Sequence, residues 1–296
     1  MHEITPAAEE ILGHEYPVLD HGFVRLVDYM GGDASIVQAA RVSYGDGTKK
    51  ISQDRGLIRT LIRDEHTSPF EMVELKWHCK MPLFVARQLI RHRTANVNEI
   101  SGRYSVMKDE FYIPEAEQVN LQNKDNKQGR SEETFSPEET ELILFGFDNE
   151  HKEAYKKYVE RIDKGMAREL ARINLPLSTY TEWYWKIDLH NLFHFLELRL
   201  DKHAQYEIRT YANVMFNMTK KVAPIACEAF EDYKLNAMKF SAQEIKILRD
   251  YLNINPEDIS IFKGSPFVIQ KDGKEELTGE GKEFKNKLKK FFPNNS

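Results

Sequence analysis

Alternation of apolar and polar side chains is the feature that most restricts this chain. A run of that kind buries one side only by lying flat in a sheet. Gly22 to Met30 (GFVRLVDYM) alternates, Met72 to Met81 (MVELKWHCKM) does so well enough, and both read as strands. Ser178 to Lys186 (STYTEWYWK) is rich in Thr, Tyr and Trp and makes a third strand. The intervals between them carry helical spacing, so the expected fold is a single α/β domain of α+β type.

Several helix boundaries are written in residue chemistry. Asp33 caps a short helix to Ala40, ahead of a turn around Gly45 and Gly47, and Asp54 to Asp64 places Leu57, Leu61 and Ile62 on one face. Pro82 opens a helix from Leu83 to about Arg93. Ser136-Pro137-Glu138-Glu139 combines a cap, an N1 proline and acids, and starts a helix or helix pair that runs to Asn174. Asp188 caps a strongly amphipathic helix, and a further helix spans about Ala204 to Val222 and stops at Pro224. The segment His66 to Glu71 reads as a loop kept extended by Pro69, and the polar stretch Glu115 to Glu133 as a mobile loop. Texture changes near residue 240. The expected organisation is a functional domain over 1–240 and a Lys- and Gly-rich extension over 241–296, with a basic amphipathic helix at Lys282 to Phe292.

Composition narrows the class. A chain of 296 residues, 41% of them hydrophobic, has enough apolar material for a substantial core. A net charge of −5 gives no general reason to expect a nucleic-acid or membrane-surface protein. Cys79 and Cys227 lie far apart without metal spacing, so a reducing cytoplasm is the expected compartment. No apolar run approaches the roughly 20 residues of a membrane span, and MHEITPAAEEILG lacks the pattern of a secretory signal.

The densest group of chemistry-bearing residues is Gln88 to Tyr104 (QLIRHRTANVNEISGRY), expected to begin on a helix and continue as loop. Arg91-His92-Arg93 cannot all face one way on a helix, where neighbours sit about 100° apart. The triplet is either a solvated helix end or a set of ligands serving different sites. Ser101-Gly102-Arg103 offers a hydroxyl, approachable backbone N–H groups and a guanidinium, the parts of a phosphate site. Glu99 suits a sugar hydroxyl or N–H donor, or else a salt bridge to Arg103. Arg199 follows a run of buried-type residues and is either functional or ion-paired with Glu197 or Asp201. His190, His194 and Glu197 have metal-type spacing, but no second cluster completes a site, and no metal is expected.

Arg91-His92-Arg93, seven intervening residues and then Ser101 resembles the RHR-x7-S signature of flavin-dependent thymidylate synthases. Further blocks resemble the family in order: HTSPFE from His66, Gln88, Asn98-Glu99, Gly102 to Ser105, ARINLPL from Ala171 and LRLDKHAQYEIR from Leu198. The resemblance covers roughly Phe23 to Phe230. It implies an enzyme converting dUMP to dTMP, with 5,10-methylenetetrahydrofolate and NADPH as co-substrates and FAD as cofactor. It also implies a mixed sheet with long helices, and a homotetramer whose active sites are shared between subunits.

Carried over by position, the resemblance implies dUMP ligands at Gln88, Arg91, Glu99, Ser101, Gly102, Arg103, Arg172 and Arg199. Arg199 is the residue that polarises the uracil ring. FAD contacts are implied at His66, Ser68, Glu71, Arg91, His92, Arg93, Asn98 and Glu99, and at Asp188, His190 and His194, where family members vary. The other reading is a nucleotide- or RNA-binding protein without catalysis.

Overall fold

A computed structural model defines residues 4–42, 51–124, 127–252, 262–271 and 273–292. The turn expected around Gly45 and Gly47 lies outside the described residues. The chain divides after Ala237 into two compact units.

In the first unit, a short helix α1 (Pro6–Glu9) leads to strands β1 (Glu15–Val18) and β2 (Gly22–Met30). Helices α2 (Asp33–Val42) and α3 (Ile51–Arg63) follow, then β3 (Glu74–Pro82), α4 (Leu83–Leu89) and β4 (Asn96–Glu99). A hairpin of β5 (Asn120–Gln122) and β6 (Arg130–Thr134) precedes the long helix α5 (Pro137–Asp163) and the single turn α6 (Arg168–Ala171). The unit closes with β7 (Tyr180–Asp188), α7 (Leu189–Arg199), α8 (Tyr206–Val222) and α9 (Pro224–Phe230).

Five strands form the main sheet in the order β1-β2-β3-β7-β4, and every pairing is antiparallel. Alternation sorts the two faces. Trp77 lies opposite Trp185 and Cys79 opposite Trp183, all buried. These side chains pack with α7, α8 and α9, through residues such as Phe195, Met215 and Phe230, in one continuous apolar core. Burial of such surface, at about 25 cal/mol per Å2, is the main stabilising term. On the other face His78 stacks on Tyr184, while Lys76 and Lys186 sit opposite each other and are offset by Asp28 and Glu74. Gly22 is required where β2 passes under α8. A Cβ there would lie 2.0 Å from the Tyr211 hydroxyl, which donates to the Lys80 carbonyl at 2.7 Å.

The expected α/β class is present; the strands expected from alternation are β2 and β3, and the one expected from its Thr, Tyr and Trp content is β7. Local departures have identifiable causes. His66 to Glu71 is not an extended loop, because Ser68–Met72 forms a 3-10 turn with Pro69 in its first positions. The helix from Leu83 ends at Leu89 rather than Arg93. There the N–H of His92 bonds back to the Leu89 carbonyl at 3.0 Å, and the chain then turns to pair with β7 as β4. Glu115 to Glu133 is not a structureless loop: it holds a 3-10 turn, Ala116–Gln118, and the β5–β6 hairpin. Ser136 and Glu139 form the expected reciprocal cap on α5.

The second unit has a helix α10 (Ala242–Tyr251), a hairpin of β8 (Val268–Lys271) and β9 (Lys274–Leu277), and a helix α11 (Gly279–Phe291). Ser241 and Glu244 cap α10 reciprocally, Thr278 caps α11, and the rings of Phe262, Phe267 and Phe284 pack together. No helix among the described residues is long and apolar enough to cross a membrane.

Candidate active site

The basic triplet and α7 meet at a cavity of about 470 Å3, lined by Arg91, His92, Arg93, Thr94, Ile187, Asn191, His194, Leu198 and Arg199. Asn191, His194 and Leu198 follow helical spacing and present one face of α7 to it. At the far end of that helix, Arg199 donates from Nε to Nε2 of His92 at 3.2 Å. The His92 ring also stands edge-on to Phe195, with centroids 5.0 Å apart, and near His194 at 6.0 Å. Burial, then the charges of Arg199 and His194, depresses the His92 imidazole to a pKa of about 4. It is therefore neutral near pH 7, and a neutral ring that accepts at Nε2 carries its proton on Nδ1. Burial lowers the Arg199 pKa as well. Arg199 does not form the ion pair considered with Asp201, whose carboxylate accepts the His203 backbone N–H at 2.7 Å.

Asp188 belongs to the frame of this cavity. One carboxylate oxygen caps α7 through the Asn191 N–H at 2.9 Å, and the other takes the Asn191 side-chain amide at 2.7 Å. His190 does not line the cavity. His66, Ser68 and Glu71 are exposed on or beside the 3-10 turn, outside the lining; Phe70 of that turn packs toward Phe193 of α7. Among the described residues no group of three His, Cys, Asp or Glu side chains could hold a metal ion.

A second group gathers around Ser101. The backbone turns so that the N–H groups of Tyr104 and Ser105 reach the Ser101 carbonyl, at 3.0 and 3.1 Å. Gly102 is buried against Arg172 and Met107, and a Cβ there would stand 3.1 Å from Arg172 Cδ and 3.0 Å from Met107 Sδ. Arg103 pairs with Glu169 at 3.1 Å rather than with Glu99, and Arg168 donates to the Tyr104 carbonyl at 3.1 Å. Tyr158 of α5 accepts the Met107 N–H at 2.9 Å and buttresses the far side. Serine, glycine and two arginines are thus held together, residue types whose chemistry suits an anion.

Strand β4 joins the two groups and carries Asn98 and Glu99. Glu99 accepts from the Thr181 hydroxyl at 2.5 Å. Gln88 stands apart from both groups and donates its amide N–H to Gln205. Asn191, Thr94 and Leu198 were not singled out from the sequence. The i, i+3, i+7 spacing of 191, 194 and 198 is the signal that places them on one face, and of the i, i+4 pair 190 and 194 only His194 lines this cavity.

An antiparallel sheet backed by helices carries guanidinium-rich clusters at the end of one helix and beside one sheet edge, an α/β architecture whose exposed cations suit a phosphate-bearing ligand. A family profile described as "Thymidylate synthase complementing protein" matches residues 25–225. The flavin-dependent thymidylate synthase of Treponema denticola is 57% identical over 238 residues, covering 80% of this chain and 90% of the relative. That of Dictyostelium discoideum is 51% identical over 288 residues, covering 95% of this chain and 88% of the relative. Among solved structures, the UMP/dUMP methylase PolB from Streptomyces cacaoi bound with 5-Br UMP has a TM-score of 0.67 at 32% identity. It is matched over 75% of this chain and 98% of PolB. The chain belongs to the flavin-dependent thymidylate synthase family and is a methyltransferase-class enzyme.

Proposed function

We propose that the chain carries out the reductive methylation of dUMP to dTMP, with 5,10-methylenetetrahydrofolate as carbon donor, NADPH as reductant and FAD as hydride carrier. The observation that carries this reading is Arg199 held by neutral His92 in a cavity shared with Arg91 and Arg93. With Nε engaged, the terminal N–H groups of Arg199 face a ligand in a fixed plane. A guanidinium so placed stabilises a uracil ring that has lost its N3 proton, and C5 becomes nucleophilic. The thiols of Cys79 and Cys227 are buried and pushed up by that burial, so neither is an attacking thiolate. Ser101 Oγ accepts the Arg103 N–H at 3.3 Å and serves as a binding hydroxyl.

In this reading Ser101, Gly102, Arg103 and Arg172 take the nucleotide phosphate, with Gln88, Arg91 and Glu99 on its sugar and base. The PolB structure with a bound bromouridylate supports a pyrimidine nucleotide as substrate. Guanidinium groups beside a neutral imidazole and an amide are a donor set that fits a diphosphate and a flavin ring. Arg91, His92, Arg93 and His194 would hold FAD, with Asn98, Glu99, His66, Ser68, Glu71, Asp188 and His190 as further contacts. Bound there, FAD supplies the hydride chemistry. The catalytic machinery lies in residues 1–240, and 241–296 is an extension without an assigned role. The assembly is a homotetramer in the cytoplasm whose subunits share active sites, which accommodates a triplet pointing in several directions.

The non-catalytic nucleotide- or RNA-binding reading is not favoured, since the relatives are enzymes. Purified protein should be yellow and should release tritium from [5-3H]dUMP only when FAD is reduced. A colourless protein that releases none overturns the proposal.

A further inference from the structure

The environment of Gln88 fixes which end of its amide meets a ligand. Glu207 on α8 is 1% exposed, and its Oε1 accepts from Arg130 of the β5–β6 hairpin and from the Tyr112 hydroxyl at 3.1 Å. Arg130 also reaches the Gln118 carbonyl at 3.3 Å, which ties the hairpin to this carboxylate. The other oxygen, Oε2, accepts Gln205 Nε2 at 2.8 Å. Gln205 Oε1 in turn accepts Gln88 Nε2.

A carboxylate paired with arginine has only lone pairs to offer, so the side of Gln205 that faces it must be the NH2. Gln205 then has only its oxygen left for Gln88, and Gln88 must answer with its own NH2. Amide orientation, normally ambiguous between O and N, is set here by the acceptor at the end of the chain. The Gln88 side-chain oxygen, Oε1, accepts no hydrogen bond among the described residues and is the end left for a ligand.

Resting on the proposed reading of Gln88 as a dUMP residue, we propose that Arg130, Glu207 and Gln205 are positioning residues. They lock Gln88 as a hydrogen-bond acceptor toward a sugar hydroxyl of the nucleotide. The lock runs from the hairpin to the substrate without touching it. Such polar networks lose more than one bond when one member is reversed.

The test is a double-mutant cycle on the full-length FAD-loaded protein, with dUMP affinity by calorimetry, KM and kcat, and a thermal melt for each variant. Q88E sets a carboxylate against the Gln205 oxygen and should weaken dUMP binding roughly tenfold. E207Q lets Gln205 turn over and should also raise the KM for dUMP roughly tenfold, with kcat at saturating dUMP retained. In the double variant the turned Gln205 donates to the carboxylate at 88, so binding should recover above Q88E alone. Q205L breaks the link without disturbing the buried ion pair and should match E207Q, which covers the case of an unstable E207Q protein. Additive losses in the cycle, or wild-type dUMP affinity in Q205L, overturn the lock. A parent protein that binds no dUMP overturns both this and the proposed function.

Discussion

Arg199 and His92, separated by 107 positions in sequence, share a hydrogen bond of 3.2 Å at the mouth of α7. The imidazole is the acceptor, and only its neutral form can play that part. One residue of the basic triplet is therefore not a cation at the site. It holds the guanidinium on which the proposed chemistry depends, while Arg91 and Arg93 supply charge on either side.

Replacing Arg199 tests charge against geometry. Arg199→Ala should lower kcat by about 10²–10³-fold, the range for removing a preorganised electrostatic donor. Arg199→Lys keeps a cation but loses the planar fork and the Nε contact, and should recover little of that loss. Steady-state turnover with saturating dUMP decides the matter. Wild-type turnover in the lysine variant would show that the His92 contact is incidental.

The depressed His92 imidazole makes a signed prediction about acid. Above the ordinary histidine pKa of 6.5 both folded and unfolded chains are neutral there, and the group has no effect on stability. Below it the unfolded chain takes up a proton that the folded chain refuses until about pH 4, so stability falls through that window. His92→Gln can still accept from Arg199 but does not titrate. Urea midpoints measured from pH 7 to 4 should fall less steeply in the variant. Identical slopes would assign the acid sensitivity to other groups.

Gly102 leaves room for Arg172. Gly102→Ala brings a Cβ to within 3.1 Å of Arg172 Cδ, so the arginine must shift by a few tenths of an ångström. The expected result is a KM for dUMP raised several-fold and a stability loss of about 1 kcal/mol, at the low end for overpacking. An unchanged KM would remove the pairing of Gly102 with Arg172 from the binding site.

Asp188 acts on the cavity through the helix it caps. Asp188→Ala should cost about 1 kcal/mol and weaken FAD retention, whereas Asp188→Ser restores the cap and most of both. Loss of FAD from the serine variant at unchanged stability would mean that the carboxylate touches the flavin directly.

What could be read from the sequence follows from where the information lies. Strands β2 and β3 were legible because residues such as Val24 and Trp77 alternate with more polar neighbours, a pattern set by one buried face, and β7 because it is rich in Thr, Tyr and Trp. Strand β4 was not, because Asn96-Val97-Asn98-Glu99 is exposed throughout and owes its conformation to pairing with β7. The β5–β6 hairpin was hidden in the same way by polar residues. The candidate set at Ser101 to Arg103 stood out by its residue types. The capping role of Asp188 was legible too, since it rests on a contact three residues away. The partnership of Arg199 with His92 and the orientation of Gln88 depend on long-range contacts that no local spacing encodes.

Among the described residues, strand β4 lies at an open edge, paired on one side only. The segment that carries the proposed ligands between Arg91 and Arg103 is thus anchored to the sheet by a four-residue edge strand. In an exchange experiment its amides should become labelled well before those of β3 and β7, which are paired on both sides. Nucleotide and flavin would then slow labelling there more than anywhere in the core. An edge strand loosely held in the free chain would then be fixed by the ligands proposed for it.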